Sequence, residues 1–96
     1  MNIRWLSSAL MELDRIHGYI AQENPKAAVQ VFRRIHKATR QLALFPNGGR
    51  PGHVEGTREL VVSGLPYVVV YRVEDDSVQI LRVFHTSMDW PATQRQ

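Results

Sequence analysis

Three side chains in the second half of the chain carry the chemistry of a catalytic or binding group: Arg58, Arg82 and His85. Arg58 opens one apolar run, Arg82 sits inside another, and His85 ends that second run. Imidazole titrates near neutrality, so a histidine at a strand end can serve as a general base; a hydrogen-bonded structural histidine is the alternative. An arginine flanked by Ile80, Leu81, Val83 and Phe84 is costly to bury unless it is paired or bonds outward. Arg82 is therefore either a ligand-binding group or half of a structural contact, with Glu59 or with an aromatic ring. His17, His36 and His53 are scattered, with no two histidines at ligand spacing, so no metal site and no cofactor are expected. No serine lies in a nucleophile elbow, and Gly48-Gly49 lacks the lysine and hydroxyl context of a phosphate loop. The chain has no cysteine, which removes disulfides, thiolate metal sites and a cysteine nucleophile.

A second chemical feature is a regional excess of positive charge. The formal net charge is +3, yet residues 24–54 contain no acid while holding Lys26, Arg33, Arg34, Lys37, Arg40 and Arg50. Lys26, Arg33, Lys37 and Arg40 fall opposite the apolar stripe of a helix at 100° per residue. Such a basic face suits nucleic acid or an acidic protein surface, or is simply solvated. No aromatics interleave with these charges, so single-strand stacking is not indicated.

The elements that must position these groups follow from periodicity. Ninety-six residues make one domain, 1–96, with a single modest core. No apolar run is long enough to span a membrane and the N-terminus lacks a signal-peptide pattern, which with the missing cysteines fits the cytoplasm. Leu6, Leu10, Leu13, His17 and Ile20 mark a helix over about 7–23, capped by Ser7 or Ser8. Asn24-Pro25 restarts the chain as cap and first helical residue. Ala28, Val31, Phe32, Ile35, Thr39 and Leu42 then mark a second helix over about 25–45, stopped by Phe45-Pro46-Asn47-Gly48-Gly49. Strands are expected over about 57–62, 67–73 and 78–85, with a fourth from about 2–5. The predicted class is α+β: an antiparallel helical hairpin packed on a three- to four-stranded, mostly antiparallel sheet.

With Asp75-Asp76 as a two-residue turn, Val73 pairs with Val78, Tyr71 with Ile80, Val69 with Arg82 and Tyr67 with Phe84. Val68, Val70, Leu81 and Val83 then share the opposite face. Both faces are largely apolar, so the one away from the helices is expected to be covered by a partner or a second copy. Ala92–Gln96 reads as a polar tail.

Gly49–Gly52 (G-R-P-G), Gly56–Val62 (G-T-R-E-L-V-V), Pro66–Val73 (P-Y-V-V-V-Y-R-V), Ile80–His85 (I-L-R-V-F-H) and Asp89-Trp90 resemble, in that order, the RelE/ParE toxin superfamily. The likeness is to its ParE-like branch, and with the preceding hairpin it covers nearly the whole chain. It implies a cytoplasmic toxin of a type II toxin–antitoxin pair. A cognate antitoxin would wrap it and cover apolar surface, and operator DNA would be reached only through that antitoxin. The free chain would be a candidate homodimer through its open sheet face.

RelE-like relatives are ribosome-dependent messenger RNA endoribonucleases, whereas ParE-like ones poison DNA gyrase without cutting nucleic acid. RelE-like enzymes place an arginine directly after the first tyrosine, or its equivalent, of the Y-x-x-x-Y strand. Here that position is Val68, which can neither donate a hydrogen bond nor offset phosphate charge. The resemblance thus implies a gyrase inhibitor with Arg58, Arg82 and His85 as target-binding groups and Lys26, Arg33, Lys37 and Arg40 as a secondary basic face. The enzyme alternative uses His85 as base with Arg58 or Arg82 steadying phosphate. A third alternative is a degenerate member that only binds its partner and co-represses transcription. ParE-like sequences commonly read H-x-x-R-D; this chain has Met88 in place of the arginine, which bears on potency or target.

Overall fold

Strand β5 (Ser77–His85) is the spine of the sheet, and the elements are arranged by what pairs with it. On one side lies β4 (Tyr67–Glu74), antiparallel to it across the Asp75-Asp76 turn, where Asp75 takes φ +54°. On the other lies β1 (Asn2–Trp5), which runs parallel to β5 and pairs Asn2 to Trp5 with Ser77 to Ile80. Beyond β4 come β3 (Arg58–Val61) and β2 (Arg50–Pro51), giving the order β1-β5-β4-β3-β2. The computed structural model describes residues 1–87; Met88, the Asp89-Trp90 pair and the Ala92–Gln96 tail lie outside the described residues.

Helix α1 (Ser7–Ala21) and helix α2 (Pro25–Gln41) form the expected hairpin, each ending a few residues earlier than periodicity suggested. Asn24 caps α2 as expected, its Oδ1 accepting from the Ala27 N–H at 3.0 Å with Pro25 at the first helical position. The cap of α1 differs. Its N-cap is Leu6, with no side-chain bond, because the Leu6 N–H continues the β1–β5 ladder onto the Ile80 carbonyl. Ser8 is drawn to the sheet instead, donating to the Leu81 carbonyl at 2.8 Å. The helices cover one sheet face: Ala9, Leu13, Ile35 and Leu42 pack with Val69, Tyr71, Val78, Ile80 and Val83.

The register holds near the turn and then departs. Val73 pairs with Val78 and Tyr71 with Ile80, but Val70 pairs with Arg82, so Leu81 is an extra residue in β5. This β-bulge exchanges the faces beyond it. Val69 opposes Val83 rather than Arg82, and Tyr67 opposes His85 rather than Phe84. Val83 thereby joins the helix-facing core, while Phe84 moves to the other face with Val68 and Val70. That second face is not bare, contrary to expectation. Val68, Val70 and Phe84 are all buried within the chain, with Val54 from the loop after β2 packed against them. Val61 at the edge of that face stays exposed, and a cluster of exposed apolar side chains lies on the hairpin at Leu10, Met11, Val29 and Phe32, residues that a simple helical stripe had partly placed inside.

Strand β2 escaped the sequence reading. It is only two residues long and exists because Arg50 and Pro51 pair with Glu59 and Arg58. The preceding loop is fastened by Tyr71, whose fully buried hydroxyl donates to the Pro46 carbonyl and accepts the Gly49 N–H, both at 2.8 Å. A Cβ on residue 49 would sit 2.8 Å from the Tyr71 ring and 2.9 Å from the Glu59 carbonyl, so glycine is required there. Removing the hydroxyl in Tyr71→Phe leaves two buried backbone groups without it. The expected cost is about 1–3 kcal/mol, read as a lower urea midpoint. An unchanged midpoint would show that the loop is held by other contacts.

Candidate functional site

Strand β1 covers only the first part of β5's outer edge, and α1 runs along the remainder. Glu12 on α1 satisfies that edge. Its carboxylate accepts the Val83 N–H at 3.0 Å and the Arg82 Nε and Nη2 at 2.9 and 2.8 Å. Arg82 is thus paired, but with Glu12 rather than with Glu59, its partner lying 70 residues away in sequence. Both side chains are 18% exposed, so the pair forms part of the surface while its charges largely compensate each other.

Beside this pair lies a concavity of about 630 Å³ lined by Arg15, Tyr19, Tyr67, Arg82, His85 and Ser87, among others. Tyr19 is 77% exposed. Burial, then the neighbouring Tyr19, push the Tyr67 hydroxyl above the ordinary phenol range, which keeps it a donor. The His85 ring meets Tyr67 edge-on, centroids 5.5 Å apart. Its Nδ1 accepts the Ser87 N–H at 3.1 Å and lies 2.8 Å from the Ser87 hydroxyl. A backbone N–H can only donate, so Nδ1 holds a lone pair and the neutral ring carries its proton on Nε2. His85 therefore offers a hydrogen-bond donor where a general base would need an acceptor.

Arg82 and His85 thus share one site, and Arg58 does not. The Arg58 Nη1 donates to the Gly49 carbonyl at 2.8 Å, two strands away from β5. Lys26, Arg33, Lys37 and Arg40 are all exposed on α2. The sequence reading missed Glu12, Arg15, Tyr19 and Tyr67. Ser8, Glu12, Arg15 and Tyr19 recur at helical spacing as a second stripe on α1, the signal that could have found the first three.

A third constellation was also missed. Glu59, buried on β3 with its side chain 2% exposed, accepts from the Arg50 Nη2 at 3.2 Å and the His53 N–H at 3.0 Å, and pairs with the His53 Nδ1 at 2.8 Å. Burial works to raise its pKa, but the His53 ring, the His53 N–H and Arg50 together outweigh it and hold the carboxyl below its ordinary value. The residue opposite Glu59 is Val70, so a buried acid stands on the apolar sheet face.

The architecture is thus an α+β sheet with a helical hairpin on one face and a polar concavity holding Tyr19 and Tyr67 at the end of β5. The family model described as the ParE toxin of the type II toxin–antitoxin system parDE matches residues 3–90, and the chain belongs to that family. It is 46% identical over 89 residues to the protein named "Putative toxin Y4kP" of Sinorhizobium fredii, covering 93% of this chain and 92% of that one. It is 40% identical over 83 residues to toxin RelE2 of Caulobacter vibrioides, covering 86% and 92%. A solved chain of the chromosomal ParDE system from P. aeruginosa superposes with a TM-score of 0.83 at 28% identity, covering 88% of this chain and 95% of that one.

Because the folded pKa of Glu59 is lowered, its stabilisation is complete above the unfolded value of about 4.3 and fades as pH falls through the folded value. Glu59→Gln should cost about 1–3 kcal/mol at neutral pH and should flatten the acid limb of a Tm-versus-pH curve. An acid limb identical to wild type would remove Glu59 as the group responsible.

Proposed function

We propose that this chain arrests growth by binding DNA gyrase and does not cut RNA. The observation that carries this reading is the state of His85. Its Nδ1 is engaged by the Ser87 N–H and lies against the Ser87 hydroxyl, so that nitrogen is not open to an attacking hydroxyl. Its neighbour Arg82 is neutralised by Glu12 and not held free for a phosphate. Tyr19, Tyr67, Arg15 and His85 have the composition of a protein-contact hot spot. Val68, standing where ribonuclease relatives carry an arginine, is itself buried, and family membership favours the gyrase branch. The name of the RelE2 relative and the likeness to a solved RelBE2 toxin–antitoxin complex favour the ribonuclease alternative.

The partner is a cognate antitoxin in the cytoplasm, and operator DNA is read by that antitoxin. Its segment covers the groove of about 760 Å³ between α1 and α2, lined by Leu10, Met11, Val29 and Phe32. These four are 41–57% exposed, an apolar patch that a monomer leaves open at a cost in solubility.

Purified chain assayed in parallel for gyrase supercoiling and for messenger RNA cleavage on programmed ribosomes tests the target. Gyrase inhibition with intact RNA is expected, weakened about tenfold or more by Tyr19→Ala or His85→Ala, as for hot-spot side chains. RNA cleavage abolished by His85→Ala would replace this reading with the ribonuclease. For the antitoxin, Met11→Glu should lower affinity for the small protein encoded beside this chain by about tenfold. Its thermal stability should change by no more than about 0.5 kcal/mol, since the side chain is exposed. Undiminished affinity would move the antitoxin elsewhere.

A further inference from the structure

The cations of β2 to β5 and those of α2 are engaged differently. The arginines of β2 to β5 are all engaged internally: Arg50 with Glu59, Arg58 with the Gly49 carbonyl, Arg72 with Gln79 and Glu74, Arg82 with Glu12. Arg34, on the flank of α2, donates to the Ser63 carbonyl. Lys26, Arg33, Lys37 and Arg40 enter no ion pair or side-chain hydrogen bond among the described residues, and all four are exposed.

These four share the sector of α2 opposite the buried Ile35, and at 1.5 Å per residue they extend about 21 Å along it. Gln30 and Gln41, both exposed, flank them. Lysine and arginine only donate hydrogen bonds, and no acidic residue stands anywhere from Asn24 to Val54. A face of this kind fits a partner whose surface offers only acceptors. A protein surface mixes donors with acceptors, so part of it would go unmatched here; a phosphate backbone would not. The face lies along the exposed side of α2, with Arg33 at its border with the α1–α2 groove and Lys26, Lys37 and Arg40 outside that groove.

We propose that the outward face of α2 is a sequence-independent contact for the phosphates of duplex DNA, used when the toxin sits on its DNA-bound target. The choice of DNA rests on the gyrase reading; the contact itself rests on α2. About 21 Å of helix parallels roughly six base pairs of B-form duplex, enough for each of the four cations to meet a phosphate.

The test is fluorescence anisotropy of the purified chain with a labelled duplex of about 20 base pairs, titrated from about 50 to about 200 mM salt. With four phosphates neutralised, log K should fall against log salt with a slope of about −3.6, about a hundredfold loss over that range. Lys37→Glu with Arg40→Glu should shallow the slope by about 2. The neutral pair Lys37→Gln with Arg40→Gln should do the same, and both pairs should keep the wild-type circular dichroism spectrum. Absence of binding at about 50 mM salt, or a slope indifferent to both pairs, would overturn the proposal. So would tighter binding to an RNA duplex of the same length or to a glutamate-rich helical peptide, which would assign the face to RNA or to protein. DNA binding without gyrase inhibition would remove the gyrase reading and leave the α2 contact standing. Inhibition without DNA binding would remove the α2 contact alone.

Discussion

A strand nine residues long whose parallel neighbour has only four leaves part of its edge without a strand beside it. Backbone donors and acceptors there must be met by something other than a ladder. In this chain α1 meets them, through Ser8 to the Leu81 carbonyl and Glu12 to the Val83 N–H. That requirement fixes where α1 lies, and most of the functional surface follows. It brings Tyr19 and Arg15 beside Tyr67 and His85. It compensates Arg82 with the same carboxylate that serves the backbone. It also sets α1 against α2 so that Leu10 and Met11 look outward across a groove at Val29 and Phe32.

The same economy divides the charges. A guanidinium over a sheet is tolerated when a carboxylate or carbonyl neutralises it, and each arginine of β2 to β5 has found one. These groups hold loops and edges together: Arg58 with Tyr71 at the Gly49 loop, Arg50 with Glu59 beneath the Val54 loop. The helix opposite is not short of water, and its cations need no internal partner. Charge that is spent on structure and charge that faces outward are therefore separable, and Lys26, Arg33, Lys37 and Arg40 of α2 are of the second kind while Arg34 is of the first.

Much of the fold was legible because it rests on local rules. The Asn24-Pro25 restart, the two apolar stripes and the Asp75-Asp76 turn each depend on a few adjacent residues, and the pairings nearest the turn followed from it. What could not be read depends on contacts distant in sequence. Leu81 bulges where Ser8 takes its carbonyl, so the register error began at a residue whose environment is set 73 positions earlier. Glu59 and His53 looked like a strand acid and a stray histidine, because their pairing needs the β2 turn that two residues of edge pairing create. The open face looked bare for the same reason, since Val54 reaches it only when that loop folds back. Of the three expected site residues, Arg82 and His85 line one concavity, while Arg58 stands at the Gly49 loop two strands away.

The balance between catalysis and binding turns on protons. Cleaving a phosphodiester needs a group that accepts one from the attacking hydroxyl and cations that gain strength as charge develops. In this chain the histidine at the end of β5 has its Nδ1 engaged by the Ser87 N–H, and the adjacent arginine is already matched by a carboxylate. None of these arrangements impedes recognition, which needs only donors, apolar contacts and aromatic rings held still. Tyr67 is fixed in the sheet, Tyr19 is displayed by a helix that the β5 edge pins in place, and His85 presents an N–H beside them. Binding groups held this rigidly lose little freedom when a partner arrives, which is a physical route by which a small domain can recognise a larger surface.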